Sequence, residues 1–140
     1  MCSGLFSNYF NVDLGLSVDI CETEEIQLSS VGEPVLLTSA NYPAQYPDNL
    51  FCRVRIRAND GGVPWMTILS FNLETNFDNL YIGDYETGDS TNYIRMTGTT
   101  IYQEIGGDFN QSAVNVTFTS DSSQAGTGFV IRLELRNSSG

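Results

Sequence analysis

Ala113-Val114-Asn115-Val116-Thr117-Phe118-Thr119-Ser120-Asp121 alternates apolar and polar residues along its length and then ends on a serine and an aspartate. Successive side chains of an extended strand point to opposite faces, so Val114, Val116 and Phe118 belong to one buried face. The same period recurs outward from it, in Arg53-Val54-Arg55-Ile56-Arg57, in Leu69-Ser70-Phe71-Asn72-Leu73, in Leu80-Tyr81-Ile82 and in Phe129-Val130-Ile131-Arg132-Leu133-Glu134-Leu135. The expected core is therefore Val54, Ile56, Leu69, Phe71, Leu73, Leu80, Ile82, Val114, Val116, Phe118, Phe129, Ile131, Leu133 and Leu135.

Helical periodicity is scarcely present. Strands are expected near Ile26–Ser29, Val35–Thr38, Phe51–Ala58, Trp65–Glu74, Leu80–Tyr85, Tyr93–Thr97, Ala113–Ser120 and Phe129–Arg136, divided by turn signals such as Asn59-Asp60-Gly61-Gly62 and Gly106-Gly107-Asp108. Short strands at this spacing predict an all-β protein, a two-sheet antiparallel β-sandwich. Val12, Leu14, Leu16, Val18 and Ile20 also alternate, which predicts an extra N-terminal strand. The expected division is an N-terminal extension over 1–20, one domain over 21–136 and a short tail over 137–140.

The chain has 140 residues, 17 acidic and 6 basic, for a net charge of −11, and all the basic residues are arginine. Such a surface repels nucleic acid and anionic membranes and draws metal ions and basic partners. No apolar stretch is long enough for a membrane-spanning helix, so membrane insertion is not expected. The start, Met1-Cys2-Ser3-Gly4-Leu5-Phe6, has neither the basic region nor the apolar run of a signal peptide. Histidine and lysine are both absent, which removes Ser-His-Asp, Cys-His and Ser-Lys arrangements and Schiff-base chemistry, so a binding protein is expected and not an enzyme.

Three carboxylates, Glu74, Asp78 and Asp121, stand at the ends of expected strands. Oxygen donors of this kind suit a hard cation such as Ca²⁺, which takes 6–8 of them with backbone carbonyls and water completing the set. Arg53, Arg55 and Arg57 form an outward stripe for which cross-strand pairing with carboxylates is the expected use, with an anionic glycan or phosphate site as the other. Trp65 opens a strand and is read as packing only.

Three local patterns occur in order: Asn41-Tyr42-Pro43-Ala44-Gln45-Tyr46-Pro47 before Cys52; Phe71-Asn72-Leu73-Glu74 running into Asp78-Asn79-Leu80-Tyr81-Ile82; and Phe118-Thr119-Ser120-Asp121 followed by Gly128-Phe129. Together they resemble the CUB domain, in particular its calcium-binding subgroup and the secreted single-domain, spermadhesin-like type, over about Cys21 to Leu135. The resemblance implies a jelly-roll-like sandwich and an extracellular, secreted glycoprotein of adhesive character. It implies Ca²⁺ held by Glu74, Asp78, Asp121 and the backbone carbonyl of Ser123, with the Tyr46 hydroxyl bonded to the glutamate. It also implies that Tyr46, Glu74 and Asp121 receive a lysine or arginine from a basic extracellular partner.

A Cys21–Cys52 disulfide follows from the same resemblance and fits an oxidising compartment. Cys2 is then left over. The family's second disulfide has no counterpart, since Glu74-Thr75-Asn76-Phe77-Asp78 is short and carries no cysteine and Met96-Thr97-Gly98 stands at the other half. Asn110, Asn115 and Asn137 head glycosylation acceptor patterns. The competing reading is a structural or self-assembling extracellular protein, a homo-oligomer built through the N-terminal strand and Cys2, in which the arginines could serve as the cationic partner of the acidic pocket.

Overall fold

A computed structural model describes residues 16–29, 33–59, 61–85, 93–100, 103–106 and 111–137. The chain runs through β1 (Leu16–Asp19), β2 (Glu25–Leu28), β3 (Val35–Thr38), β4 (Phe51–Ala58), β5 (Gly62–Asn72), β6 (Asn79–Gly83), β7 (Tyr93–Met96), β8 (Thr99–Thr100), β9 (Gln103–Ile105), β10 (Ala113–Thr119) and β11 (Gly128–Asn137). One sheet has the order β1-β3-β11-β5-β8, with β9 also on β5. The other has the order β2-β4-β10-β6-β7.

The architecture is all-β and a two-sheet sandwich, but the sheets are mixed where antiparallel pairing was expected. β1 runs parallel to β3 and β2 runs parallel to β4. The cause is connectivity. Between β1 and β3, and again between β2 and β4, the chain crosses to the opposite sheet and returns, which reverses its direction twice. Of the expected N-terminal strand, Leu16–Asp19 pairs in register with Val35–Thr38; Val12 and Leu14 lie outside the described residues, as do Cys2 and Asn110.

The two inner faces interdigitate around Phe118 of β10 and Phe129 of β11, both fully buried, whose rings meet edge to face with centroids 5.2 Å apart. Val54, Ile56, Phe71, Leu73, Leu80, Ile82, Val114, Val116, Ile131 and Leu133 join them as expected, and Leu135 packs partly buried against this cluster. Leu69 does not. The β5–β11 register pairs Ser70 with Val130 and then Ile68 with Ile131, leaving Leu69 as the extra residue of a β-bulge. A bulge shifts the alternation by one, so Ile68 and Met66 enter the core and Leu69 is 42% exposed.

Gly62-Val63-Pro64, which run from the expected turn at 59–62 to the expected strand start at Trp65, are the beginning of β5, paired with Leu135–Asn137. Gly62 fits there because a Cβ would lie 2.5 Å from a Leu135 methyl. Cys21 and Cys52 are disulfide-bonded with Cα atoms 5.0 Å apart. Trp65 is half-buried and stacks under Arg136, and its indole N–H donates to Glu104 at 2.8 Å, in keeping with a packing role.

Candidate metal centre

At one end of the sandwich β5 leaves its sheet after Asn72 and β6 begins at Asn79, joined by a link of a single turn. The Asp78 N–H donates to the Glu74 carbonyl at 3.0 Å, and the Phe77 N–H to the same oxygen at 3.3 Å. Asn76 closes the turn at φ 68°, a left-handed conformation that asparagine tolerates better than most residues. β10 ends beside this turn. Its last residues are tied to the 47–50 loop by Asn49 N–H to the Asp121 carbonyl at 2.7 Å and by the Ser120 hydroxyl to the Pro47 carbonyl at 2.8 Å.

These anchors bring the three sequence-predicted acids together. One carboxylate oxygen from each of Glu74, Asp78 and Asp121 lies within 4.8 Å of the others. Asp78 is fully buried. Its Oδ2 accepts from the Tyr46 hydroxyl at 2.6 Å and its Oδ1 from the Asp121 N–H at 2.9 Å. The Asp121 carboxylate accepts from the Ser123 N–H at 3.1 Å. Glu74 differs, because its Oε1 is buried and has no hydrogen-bond partner. Burial, and then the neighbouring Asp121 and Asp78 carboxylates, push the Glu74 carboxyl above its ordinary value of 4.5.

Tyr46 lies 2% exposed behind the acids, its ring edge-on to Phe118 at 5.0 Å. Its hydroxyl donates to Asp78 and accepts the Glu74 N–H at 3.2 Å and the Gly126 N–H. A phenol oxygen has one proton and two lone pairs, and all three are occupied inside the protein. The resemblance implied a bond between Tyr46 and the glutamate and a hydroxyl that helps receive a partner's cation. The bond to Glu74 is made through its backbone N–H, whereas the hydroxyl faces inward and is filled by protein groups. Burial, then the bond to Asp78, raise the Tyr46 hydroxyl to about 12, so it stays a donor throughout the physiological range.

One residue escaped the sequence reading. The Thr97 hydroxyl accepts the Asn76 N–H at 2.8 Å and sits 2.6 Å from the Asp78 carbonyl and 3.2 Å from the Glu74 carbonyl. It clasps the 74–78 turn from the corner between β7 and β8, where the family's missing cysteine would stand. The Leu73 N–H donates to the Gly98 carbonyl at 2.8 Å and adds a backbone tie beside it. The only signal for Thr97 was its place in Met96-Thr97-Gly98. Of the described acceptor asparagines, Asn115 lies on the outer face of β10 and Asn137 is exposed at the end of β11.

A family model described as "CUB domain" matches residues 21–133. Among solved structures, the full extracellular region of zebrafish Gpr126/Adgrg6 superposes with a TM-score of 0.67 at 23% identity, over 82% of this chain and 15% of that one. The CUB1-EGF-CUB2 domain of human MASP-1/3 gives 0.65 at 16% identity, over 81% of this chain and 42% of that one. The MASP-1 CUB2 domain bound to Ca²⁺ gives 0.61 at 17% identity, over 78% of this chain and 96% of that one. The chain therefore spans only a minor part of the first two proteins and nearly the whole length of the third.

Proposed function

Because the chain belongs to the CUB domain family, we propose that it is an extracellular, calcium-dependent protein-binding module whose acidic centre receives a lysine or arginine side chain of a basic partner. In this reading Glu74, Asp78 and Asp121, with the Ser123 carbonyl, hold Ca²⁺, and oxygens of Glu74 and Asp121 turned away from the ion bind the partner's cation. Tyr46 acts behind them, holding Asp78 in place. When bound, the ion supplies positive charge that lets three close carboxylates remain ionised together.

The observation that carries the reading is the buried, unpartnered Oε1 of Glu74 within 4.8 Å of two further carboxylates. An ionised oxygen taken from water and given no donor is costly, and a cation at the point shared by the three acids would satisfy it. The donor set is all oxygen, which suits Ca²⁺ and not zinc or copper. A similar fold solved with Ca²⁺ bound supports the same assignment.

Calcium titration by calorimetry, with Asp121→Asn as the control, tests it. One site is expected in the natural chain and none in the variant. With free calcium about tenfold above the dissociation constant, linkage contributes about 1.4 kcal/mol to stability. Absence of binding heat, with identical melting curves in calcium and in chelator, would refute the metal assignment.

A further inference from the structure

Four of the six arginines lie on the outer face of the five-stranded sheet: Arg53, Arg55 and Arg57 on β4, and Arg95 on β7. The register builds a row across four strands, Arg53, Thr117, Tyr81 and Arg95. Beside it Arg55 stands opposite Asn115, and Tyr93 opposite Gly83. Arg57 pairs with Glu25 on β2. Arg55 donates to the Asn115 side chain at 3.2 Å and Arg95 bonds the Tyr81 hydroxyl. Neither meets a carboxylate among the described residues.

On the other sheet Arg132 and Arg136 both reach Glu134, at 3.7 and 2.9 Å, and Arg136 reaches Glu104 at 3.9 Å. Glu25, the residue opposite Arg55 in the β2–β4 register, gives its carboxylate to Arg57, and the other residues facing Arg55 and Arg95 are Asn115 and Tyr81, where further carboxylates would be stabilising. Cross-strand pairing explains Arg57 and leaves those two unexplained.

We propose that this face, through Arg55 and Arg95, is the cationic partner of the Glu74–Asp121 centre on a second copy of the chain, so that copies assemble head to tail. The inference rests on the centre being a cation-receiving site, and it names the occupant. The chain has no lysine, and among the described residues no carboxylate forms an ion pair with Arg55 or Arg95. Both surfaces also carry an exposed phenylalanine, each 60% exposed: Phe77 in the acidic turn and Phe51 at the edge of the arginine face, beneath Arg53. Aromatic and arginine side chains side by side are the composition that anchors protein interfaces.

The contact joins two different patches, so it is heterologous and one copy can bind the next indefinitely. The net charge of −11 opposes approach at long range. That repulsion is screened beyond about 8 Å at physiological ionic strength, where charges in contact decide the outcome.

Sedimentation and light scattering over a range of protein concentrations, in calcium and in chelator, test this. Mass should rise above the 15.4 kDa monomer with concentration in calcium, and stay at the monomer value in chelator and in the exposed-face double variant Arg55→Gln, Arg95→Gln. Loss of close charge pairs of this kind weakens association by at least about tenfold. The decisive mixture combines that double variant, which keeps the acidic centre, with Asp121→Asn, which keeps the arginine face. Each alone should be monomeric, and together they should give a heterodimer and nothing larger.

A protein that binds calcium by calorimetry yet stays monomeric overturns the self-assembly while leaving the metal reading intact. A protein that binds no calcium overturns both. Oligomers that persist in the double variant place the contact elsewhere and overturn the assignment to this face.

Discussion

Thr97→Val keeps the shape of the side chain and removes only its hydroxyl, so it isolates the clasp on the metal turn. The hydroxyl accepts the Asn76 N–H at 2.8 Å and has one proton to give, shared between the Asp78 carbonyl at 2.6 Å and the Glu74 carbonyl at 3.2 Å. Two hydrogen bonds are therefore lost, each with a net contribution of about 1 kcal/mol, for a total of about 2 kcal/mol. For a domain of this size that lowers the melting temperature by roughly 6–8 °C. The turn carries Glu74 at one end and Asp78 at the other, so part of the loss should appear as weaker calcium binding, on the order of tenfold for each 1.4 kcal/mol that moves into the binding step. Thermal unfolding in chelator gives the first quantity and calcium calorimetry the second, with Thr97→Ser expected to restore both. A valine variant with unchanged melting and unchanged calcium affinity would refute the idea that this hydroxyl stands in for the absent disulfide.

Two further tests address the core and the carboxylates. Phe118→Ala should cost about 3–5 kcal/mol in chemical denaturation through the cavity it leaves, while Leu69→Thr on the outward bulge should stay within about 0.5 kcal/mol; a large effect at Leu69 would contradict the bulge register. Without metal, the folded Glu74 carboxyl titrates above its unfolded value, so the folded state binds the proton more tightly. This contribution stabilises as pH falls and is lost as pH rises through the raised value. Calcium should invert the trend, because a protonated Glu74 cannot ligate. Melting in chelator and in calcium from neutral pH into the acid range, compared with Glu74→Gln, reads the difference; a variant with the same pH profile as the natural chain in both buffers would remove Glu74 from the centre.

The strands and the inward residues of β4, β6, β10 and β11 were legible because period-two alternation is a local property of an extended chain. What failed was information that belongs to pairs of strands. The bulge that turns Leu69 outward is defined only by the β11 register, and a continuous alternation in β5 carries no mark of it. Parallel pairing of β1 with β3 and of β2 with β4 depends on which sheet each strand joins. β8 and β9 are too short for their period to show. Pro64 read as a turn residue, since proline in a strand is tolerated only where the ladder leaves its missing N–H unneeded.

The centre was legible to a different depth. Its three acids could be named because each closes a strand pattern, and the fold brings those ends together as the family resemblance implied. The donors around them could not, because a hydrogen-bonding capacity is filled by groups remote in sequence. Tyr46 shows this: the position was right, but its hydroxyl is occupied by Glu74 N–H, Gly126 N–H and Asp78, from three separate segments. The same count separates the acids from one another. Asp78 has two donors and Asp121 has the Ser123 N–H, all supplied by neutral groups that hold the carboxylates in position without cancelling their charge. Glu74 Oε1 has none. If an ion sits here, its removal falls most heavily on Glu74, and protonation is the means by which the empty centre can relieve the strain between the acids. The calcium affinity and the acid titration of the empty centre should therefore change together in any variant that moves Glu74, Thr97→Val included.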